Sequence, residues 1–343
     1  MWFTSDNAGP AHPKVIEALA RANEGYAGSY GADPLTEGVV TRLREIFEAP
    51  EAAVALVSTG TAANVLALAC LTPPWAEIYC HDEAHIEVDE ANGPEFYTGG
   101  AKLTLLPGAH GKIAPDALEA ALNRFTARDV HHPQIGPLSL TQATEAGTVY
   151  SLDELHALTA IAKAQDMPVH MDGARFANAV ERLGCTPAEM TWRAGVDAVS
   201  LGGTKNGLLA AEAVILFDPA RGPELERRRK RGAHLFSKHR FLSAQMEAYL
   251  EGGLWRELAA QSNTRAQTLA QELAQVPGAE IAHPVDANMV FVYLSPEAHA
   301  RAQAAGAKYH GWPQSDGRFL ARLVCDWSCT PEAIDGLIEA LHG

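Results

Sequence analysis

Positive charge, cysteine and aromatic side chains are all scarce in this chain. Against 42 aspartates and glutamates there are 27 lysines and arginines, a formal net charge of −15 over 343 residues. Nucleic acid and anionic membranes demand a net basic surface, so neither is expected as a main partner. The 5 cysteines (Cys70, Cys80, Cys185, Cys325, Cys329) are odd in number and scattered, and Cys325 with Cys329 lacks the second pair that would complete a zinc site. No metal is expected, and a reducing compartment suits such a set. No apolar run is long enough to span a bilayer, and the opening MWFTSDNAGP lacks the basic-then-apolar pattern of a secretory signal. These absences predict a cytoplasmic protein. Repeats and low-complexity linkers are missing too, and 47% hydrophobic content over this length is enough for a sizeable core and more than one domain.

What is there alternates helical and strand patterns with short connections, as an α/β fold should. Pro13 to Glu24 carries Val15, Ile16, Leu19 and Ala20 on one helical face, and Asp33-Pro34 opens a second helix with Leu35, Val39, Leu43, Ile46 and Phe47 as its stripe. Strands are predicted at Ala53 to Ser58, Glu77 to Cys80, Ala101 to Leu106, Pro137 to Gln142 and Ala213 to Phe217. Helices follow Thr59-Gly60-Thr61 through Leu71, cover Pro115 to Phe125, and run from the capping pair Ser151 and Glu154 to about Asp166. The run HDEAHIEVDEANG reads as a loop or frayed helix. Beyond about Leu254 come a long amphipathic helix, strands near Glu280, at Met289 to Leu294 and at Phe319 to Cys325, and a last helix opened by Thr330-Pro331. The organisation expected is an arm over residues 1–13, a large α/β domain over 14–250 and a smaller α+β domain over 251–343.

The stretch from Val169 to Gly207 ties these elements to chemistry. Val169, His170 and Met171 end a strand that delivers Asp172 to its carboxyl end, and Gly173 permits a turn into a helix carrying Arg175. Val196 to Leu201 is a second buried strand, after which Gly202-Gly203-Thr204 leaves room for Lys205. Ligands of open parallel sheets sit outside the carboxyl ends of the strands, so Asp172 and Lys205 would face one crevice. A lysine for a Schiff base and a carboxylate for a pyridinium nitrogen are what a pyridoxal phosphate enzyme needs. Each residue has a plainer reading: lysines are mostly solvated, and aspartates often end strands and cap helices. The glycine frame distinguishes Lys205 from an ordinary surface residue, and GGTKNG lacks the junction of a P-loop. The STGTAAN turn, with small residues at a helix start, lets backbone N–H groups approach an anion.

The combination of STGTAAN, the HDEAH loop, HMDGARFANA and SLGGTKNG, in that order along nearly the whole chain, resembles the low-specificity L-threonine aldolases. The resemblance implies a pyridoxal phosphate-dependent transferase-like fold (fold type I), with a large domain on a mostly parallel seven-stranded sheet and a smaller α+β C-terminal domain. It implies retro-aldol cleavage of β-hydroxy-α-amino acids to glycine and an aldehyde. By the same resemblance Lys205 is the Schiff-base lysine, Asp172 the partner of the pyridine nitrogen, Gly60 and Thr61 the phosphate turn, and His85 the stacked imidazole and candidate base. Arg175 would lie near the ring oxygen and substrate, while Ser5 and Arg322 would hold the substrate carboxylate. Arg240 would reach the cofactor phosphate of a neighbouring subunit in a homodimer or homotetramer, with Tyr30 of another chain near the same cofactor. Some members place a histidine in the turn that here reads Gln142-Ala143-Thr144-Glu145, so that residue's role does not carry over. Aminotransferases and β-eliminating lyases use the same lysine and aspartate, and a non-catalytic cofactor-binding module remains a reading from another class.

Overall fold

Seven strands, β1 (Ala53–Val57), β2 (Ala76–His81), β3 (Lys102–Leu106), β4 (Gln134–Thr141), β5 (Val169–Gly173), β6 (Ala198–Leu201) and β7 (Glu212–Leu216), form one sheet in the computed structural model, which describes residues 1–125 and 129–342. Their order is β1-β7-β6-β5-β4-β2-β3. Only β7 runs against its neighbours; the other pairings are parallel. Strands β2, β5, β6 and β7 are buried along their whole length, which is why they read as short apolar runs rather than alternations. Parallel neighbours require crossovers, and helices supply them. The helix Gly60–Leu71 between β1 and β2 is buried at every residue from Ala62 onward, because it lies against β6 and β7 and is covered by the helices Gly93–Thr98 and Gly222–Arg231.

A second, wholly antiparallel sheet contains β8 (Glu280–Ile281), β9 (Met289–Leu294), β10 (His310–Pro313) and β11 (Phe319–Val324), in the order β10-β11-β9-β8. The helix Leu254–Leu273 serves both halves. Trp255 and Ala259 pack into the large core, whereas Ala266, Leu269 and Leu273 pack under the second sheet. The amino-terminal arm returns to this sheet: the Phe3 N–H donates to Lys308 O (2.7 Å) and the Val324 N–H donates to Phe3 O (2.9 Å).

Every strand expected from the sequence is present, within a few residues at the ends, and β10 is an addition. Its sequence, HGWP, reads as a turn, yet it is an edge strand on β11, where glycine and proline are tolerated. A Cβ on Gly311 would come within 2.4 Å of Leu320 O, so the close strand approach itself requires the glycine. The helix expected to carry Arg175 starts one residue later, at Phe176, and Arg175 sits at its cap with non-helical backbone. The HDEAH run holds a one-turn helix, His85–Val88, and the basic stretch after β7 resolves into two helices, Gly222–Arg231 and Arg240–Leu250.

Candidate active site

The carboxyl ends of β5 and β6 open on a cavity of about 250 Å³ that Asp172, Lys205, His85, Gly60 and Thr61 all line. Asp172 is held in register between Thr141 of β4 and Ser200 of β6, and it is nearly inaccessible. Its Oδ1 accepts the Ala174 N–H (3.0 Å) and its Oδ2 accepts the Asn64 side-chain amide (2.9 Å). Lys205 lies in the single turn Thr204–Asn206 after β6. Two glycines make that turn possible: a Cβ on Gly202 would sit 2.3 Å from Ala174 O, and Gly207 adopts φ +95. The turn is pinned from beneath, where the Asn206 amide donates to Tyr249 Oη and Trp255 O, both at 2.8 Å. Lys205 itself makes no ion pair among the described residues, and Glu212, buried behind it, accepts the Gly203 N–H (2.7 Å). Burial pushes the Glu212 carboxyl above the usual range, against the hydrogen bonds that it accepts.

Opposite stands the amino terminus of the helix Gly60–Leu71. Thr59 caps it by accepting the Ala62 N–H (3.1 Å), which leaves the N–H groups of Gly60 and Thr61 without intrahelical partners. A Cβ on Gly60 would meet nothing within 4 Å, so the approach to those donors is open.

His85 closes the third side. Its Nδ1 is 2.7 Å from Oε1 of Glu90, whose side chain is wholly buried. The same Oε1 accepts Asn64 Nδ2 (2.8 Å), so one amide joins Glu90 to Asp172. The hydrogen bond to Glu90 raises the His85 pKa above its ordinary value despite partial burial, and burial raises Glu90 in turn. Neither Asn64 nor Glu90 was singled out from sequence. The available signals were spacing: Asn64 lies one helical turn beyond Gly60, and Glu90 ends the acidic run that follows His85. Ligand atoms of His85, Glu90 and Asp172 lie within 4.8 Å of one another, a spacing a cation could use. The Asn64 donor, in contact with both carboxylates, holds the space such a cation would need.

The arm supplies a fourth wall through Asn7. Ser5 caps the short turn Asp6–Ala8 by accepting the Asn7 N–H (3.1 Å), and it does not itself line the cavity. Arg175 does not line it either. Its Nε and Nη2 donate to the two oxygens of Asp6 at 2.7 and 3.0 Å, in a pair almost fully withdrawn from water. Asp6 also accepts the Asn288 amide (3.0 Å). Burial works against the Asp6 charge, yet the Arg175 guanidinium beside it holds its pKa below the usual carboxylate value. Arg322 of β11 has no carboxylate partner among the described residues; its guanidinium donates to Met289 Sδ at 3.6 Å. Burial first, and then the neighbouring Arg175 cation, lower its pKa. Glu145, from the turn after β4, adds negative potential at His85, Arg175 and Arg322.

Arg240 and Tyr30 lie apart from this cavity, on one corner of the chain. Arg240 donates to Gly25 O (3.0 Å), the Tyr30 N–H donates to Ser237 O (2.9 Å), and the Lys230 ammonium sits 4.7 Å over the Tyr30 ring. The 25–31 and 237–240 segments of one chain are thus hydrogen-bonded together.

The mostly parallel seven-stranded sheet with its small antiparallel companion is the fold of the fold type I pyridoxal phosphate-dependent enzymes. The sequence narrows this. The family model for beta-eliminating lyases matches residues 3–297, and the chain belongs to that family. It is 40% identical to the low specificity L-threonine aldolase of a Pseudomonas species, over 96% of this chain and 94% of that one. The protein of the same name from Pseudomonas aeruginosa is also 40% identical, over 99% and 96% of the two chains. Among solved structures, the Leishmania major threonine aldolase superposes with a TM-score of 0.93 at 27% identity, covering 99% of this chain and 98% of that one. Sphingomonas wittichii serine palmitoyltransferase (TM-score 0.74, 17% identity, 100% and 86% covered) shares the fold alone.

Proposed function

We propose that this chain is a pyridoxal phosphate-dependent aldolase that cleaves L-threonine, L-allo-threonine and related β-hydroxy-α-amino acids to glycine and an aldehyde. The observation that carries the reading is the convergence of Lys205, Asp172, His85 and the Gly60 helix terminus on one cavity. The cofactor fits this donor set. An unpaired lysine amine would hold it covalently, the Asp172 carboxylate would keep the ring nitrogen protonated, and the free Gly60 and Thr61 N–H groups would take the phosphate. Bound there, pyridoxal phosphate supplies the electron sink for the pair left at the substrate α carbon.

The chain's own residues do the rest. Arg322 binds the substrate carboxylate, and Ser5, on the arm, supports it; that grip presents the Cα–Cβ bond for cleavage. Arg175 acts at one remove, by tying the arm through Asp6. His85 donates Nδ1–H to Glu90, which leaves Nε2 as the acceptor for the β-hydroxyl proton. We further propose a cytoplasmic homodimer or homotetramer, a large domain over 14–250 and a small one over 251–343, and delivery of Arg240 to a neighbour's cofactor phosphate, with Tyr30 of another chain near the same cofactor.

The test is incubation with threonine and allo-threonine in the absence of a keto-acid acceptor, followed by borohydride reduction and peptide mapping. Glycine and acetaldehyde should appear in equal amounts, with the pyridoxyl group on Lys205. Ammonia and a keto acid as products, or a pyridoxyl group on Lys102, Lys163 or Lys230, would overturn the reading.

A further inference from the structure

Asn64 is an amide in the helix Gly60–Leu71, which is otherwise apolar past its first turn. It lies four residues beyond Gly60 and so shares the face that carries the candidate phosphate turn. Helix interiors disfavour asparagine, whose side chain competes for nearby backbone groups. Here both amide hydrogens go elsewhere: Nδ2 donates to Glu90 Oε1 (2.8 Å) and to Asp172 Oδ2 (2.9 Å), and the residue is only 2% exposed. The segment after Glu90 is built to seat that carboxylate against the helix. Ala91 and Asn92 adopt φ +48 and +60, two successive non-glycine residues in the left-handed region, and a Cβ on Gly93 would come within 3.1 Å of Val65 Cγ1. Strained backbone of this kind persists only where the surrounding structure holds it.

Oxygens of Glu90 and Asp172 lie within 4.8 Å of each other, and two buried carboxylates that close cannot both stay charged unless donors hold them so. Burial and the Asp172 charge raise the Glu90 pKa, whereas the hydrogen bonds from His85 and Asn64 lower it. The titratable groups that face this unit are His85 ahead of Glu90, Asp172 from β5 and, toward His85, Glu145 from the turn after β4. We propose that Asn64 is a positioning residue that keeps Glu90 and Asp172 charged together, so that one site holds both a protonated ring nitrogen and a proton-accepting His85. The roles of Asp172 and His85 rest on the function proposed above; the keeping of the two charges does not. With Glu90 charged, its Oε1 takes the Nδ1–H of His85 and Nε2 stays free to accept. Without Asn64, Glu90 takes up a proton and donates it to Nδ1, the ring hydrogen moves to Nε2, and the acceptor for the β-hydroxyl proton is lost.

The experiment compares the intact holoenzyme with Asn64→Leu, which keeps much of the bulk, and with Asn64→Ala, which favours the helix; both remove the two donors. Infrared difference spectra at neutral pH, taken without substrate, should show a new protonated-carboxyl stretch in each variant, and that stretch should be absent from Asn64→Leu/Glu90→Gln. With threonine, kcat should fall several-fold while KM changes little. The acid limb of kcat should move to lower pH, because a neutral Glu90 no longer favours a proton on His85, and the double variant should move no further than Glu90→Gln alone. Unchanged infrared spectra in both variants, a new stretch that survives the Glu90→Gln replacement, or an acid limb that moves further in the double variant than in Glu90→Gln would overturn the proposal. The infrared arm needs no turnover, so it decides on Asn64 even if the products with threonine are ammonia and a keto acid.

Discussion

Replacing Glu90 with Gln should make the enzyme more tolerant of acid while making it slower. His85 can take a proton only when neutral, and its hydrogen bond to the buried Glu90 carboxylate is what raises its pKa. A hydrogen bond to a charged group contributes about 1.5–3 kcal/mol, so loss of the charge should lower the His85 pKa. Burial, which acts in the opposite sense, then remains, against the Asp172 and Glu145 carboxylates, which favour the proton. The amide can still accept from Nδ1 and from Asn64, so the ring orientation survives in part. Its new N–H₂ group would occupy the place of Glu90 Oε2, which is buried without a partner, and the resulting misfit should lower the plateau rate. The assay is kcat for aldehyde release from about pH 5 to 9, which reports groups in the substrate complex. The acid limb of Glu90→Gln should lie at lower pH than that of the parent, so that on the acid side the variant keeps more of its own maximum. An acid limb that does not move, or that survives in His85→Phe, would show that His85 is not the titrating base.

Asp172→Asn should retain cofactor but lose turnover by orders of magnitude, since a neutral pyridine is a poor electron sink; near-normal rates in that variant would assign ring protonation to another acid. Arg240→Ala should weaken cofactor retention more than Arg240→Lys, because only arginine offers phosphate two parallel donors, and mixed oligomers of Lys205→Ala and Arg240→Ala chains should regain activity if the site is shared. His170, fully buried between Ser139 and Ser200, has its pKa pushed down to about 4 by burial. Between the ordinary histidine value and 4 the unfolded chain therefore holds the extra proton, and stability should fall as pH falls through that window. Denaturant midpoints measured against pH should lose about one proton's worth of slope in His170→Asn.

Much of this architecture was legible because buried parallel strands write themselves as apolar runs and helix starts carry caps. The runs ending in Asp172 and in Leu201 fixed where the crevice would open, and the glycines around Lys205 announced a turn too tight for side chains. Strand direction was not legible: Glu212–Leu216 looks like any other buried strand, and nothing local reveals that it runs against its neighbours. Edge strand β10 was hidden by its glycine and proline. In the site, Lys205, Asp172, His85, Gly60 and Thr61 stood out by type and context, whereas Asn7, Asn64 and Glu212, which line the same cavity, did not. Asn64 and Glu90 become visible only when helix and loop are brought together, and the partnership of Asp6 with Arg175 spans most of the large domain. A long-range ion pair leaves no periodicity to read.

The clasp on the amino-terminal arm has a consequence for the order of assembly. Phe3 is gripped by backbone groups of Lys308 and Val324, and Asp6 by Arg175 and Asn288. Residues of the arm are thus among the last to find their places, since Asn288, Lys308 and Val324 are made roughly three hundred residues later. Contacts of such sequence separation are slow to close. The sheet that carries Asp172 and Lys205 can form while the cavity still lacks the wall that Asn7 provides, so a nascent chain holds its chemistry incomplete until its second sheet has folded.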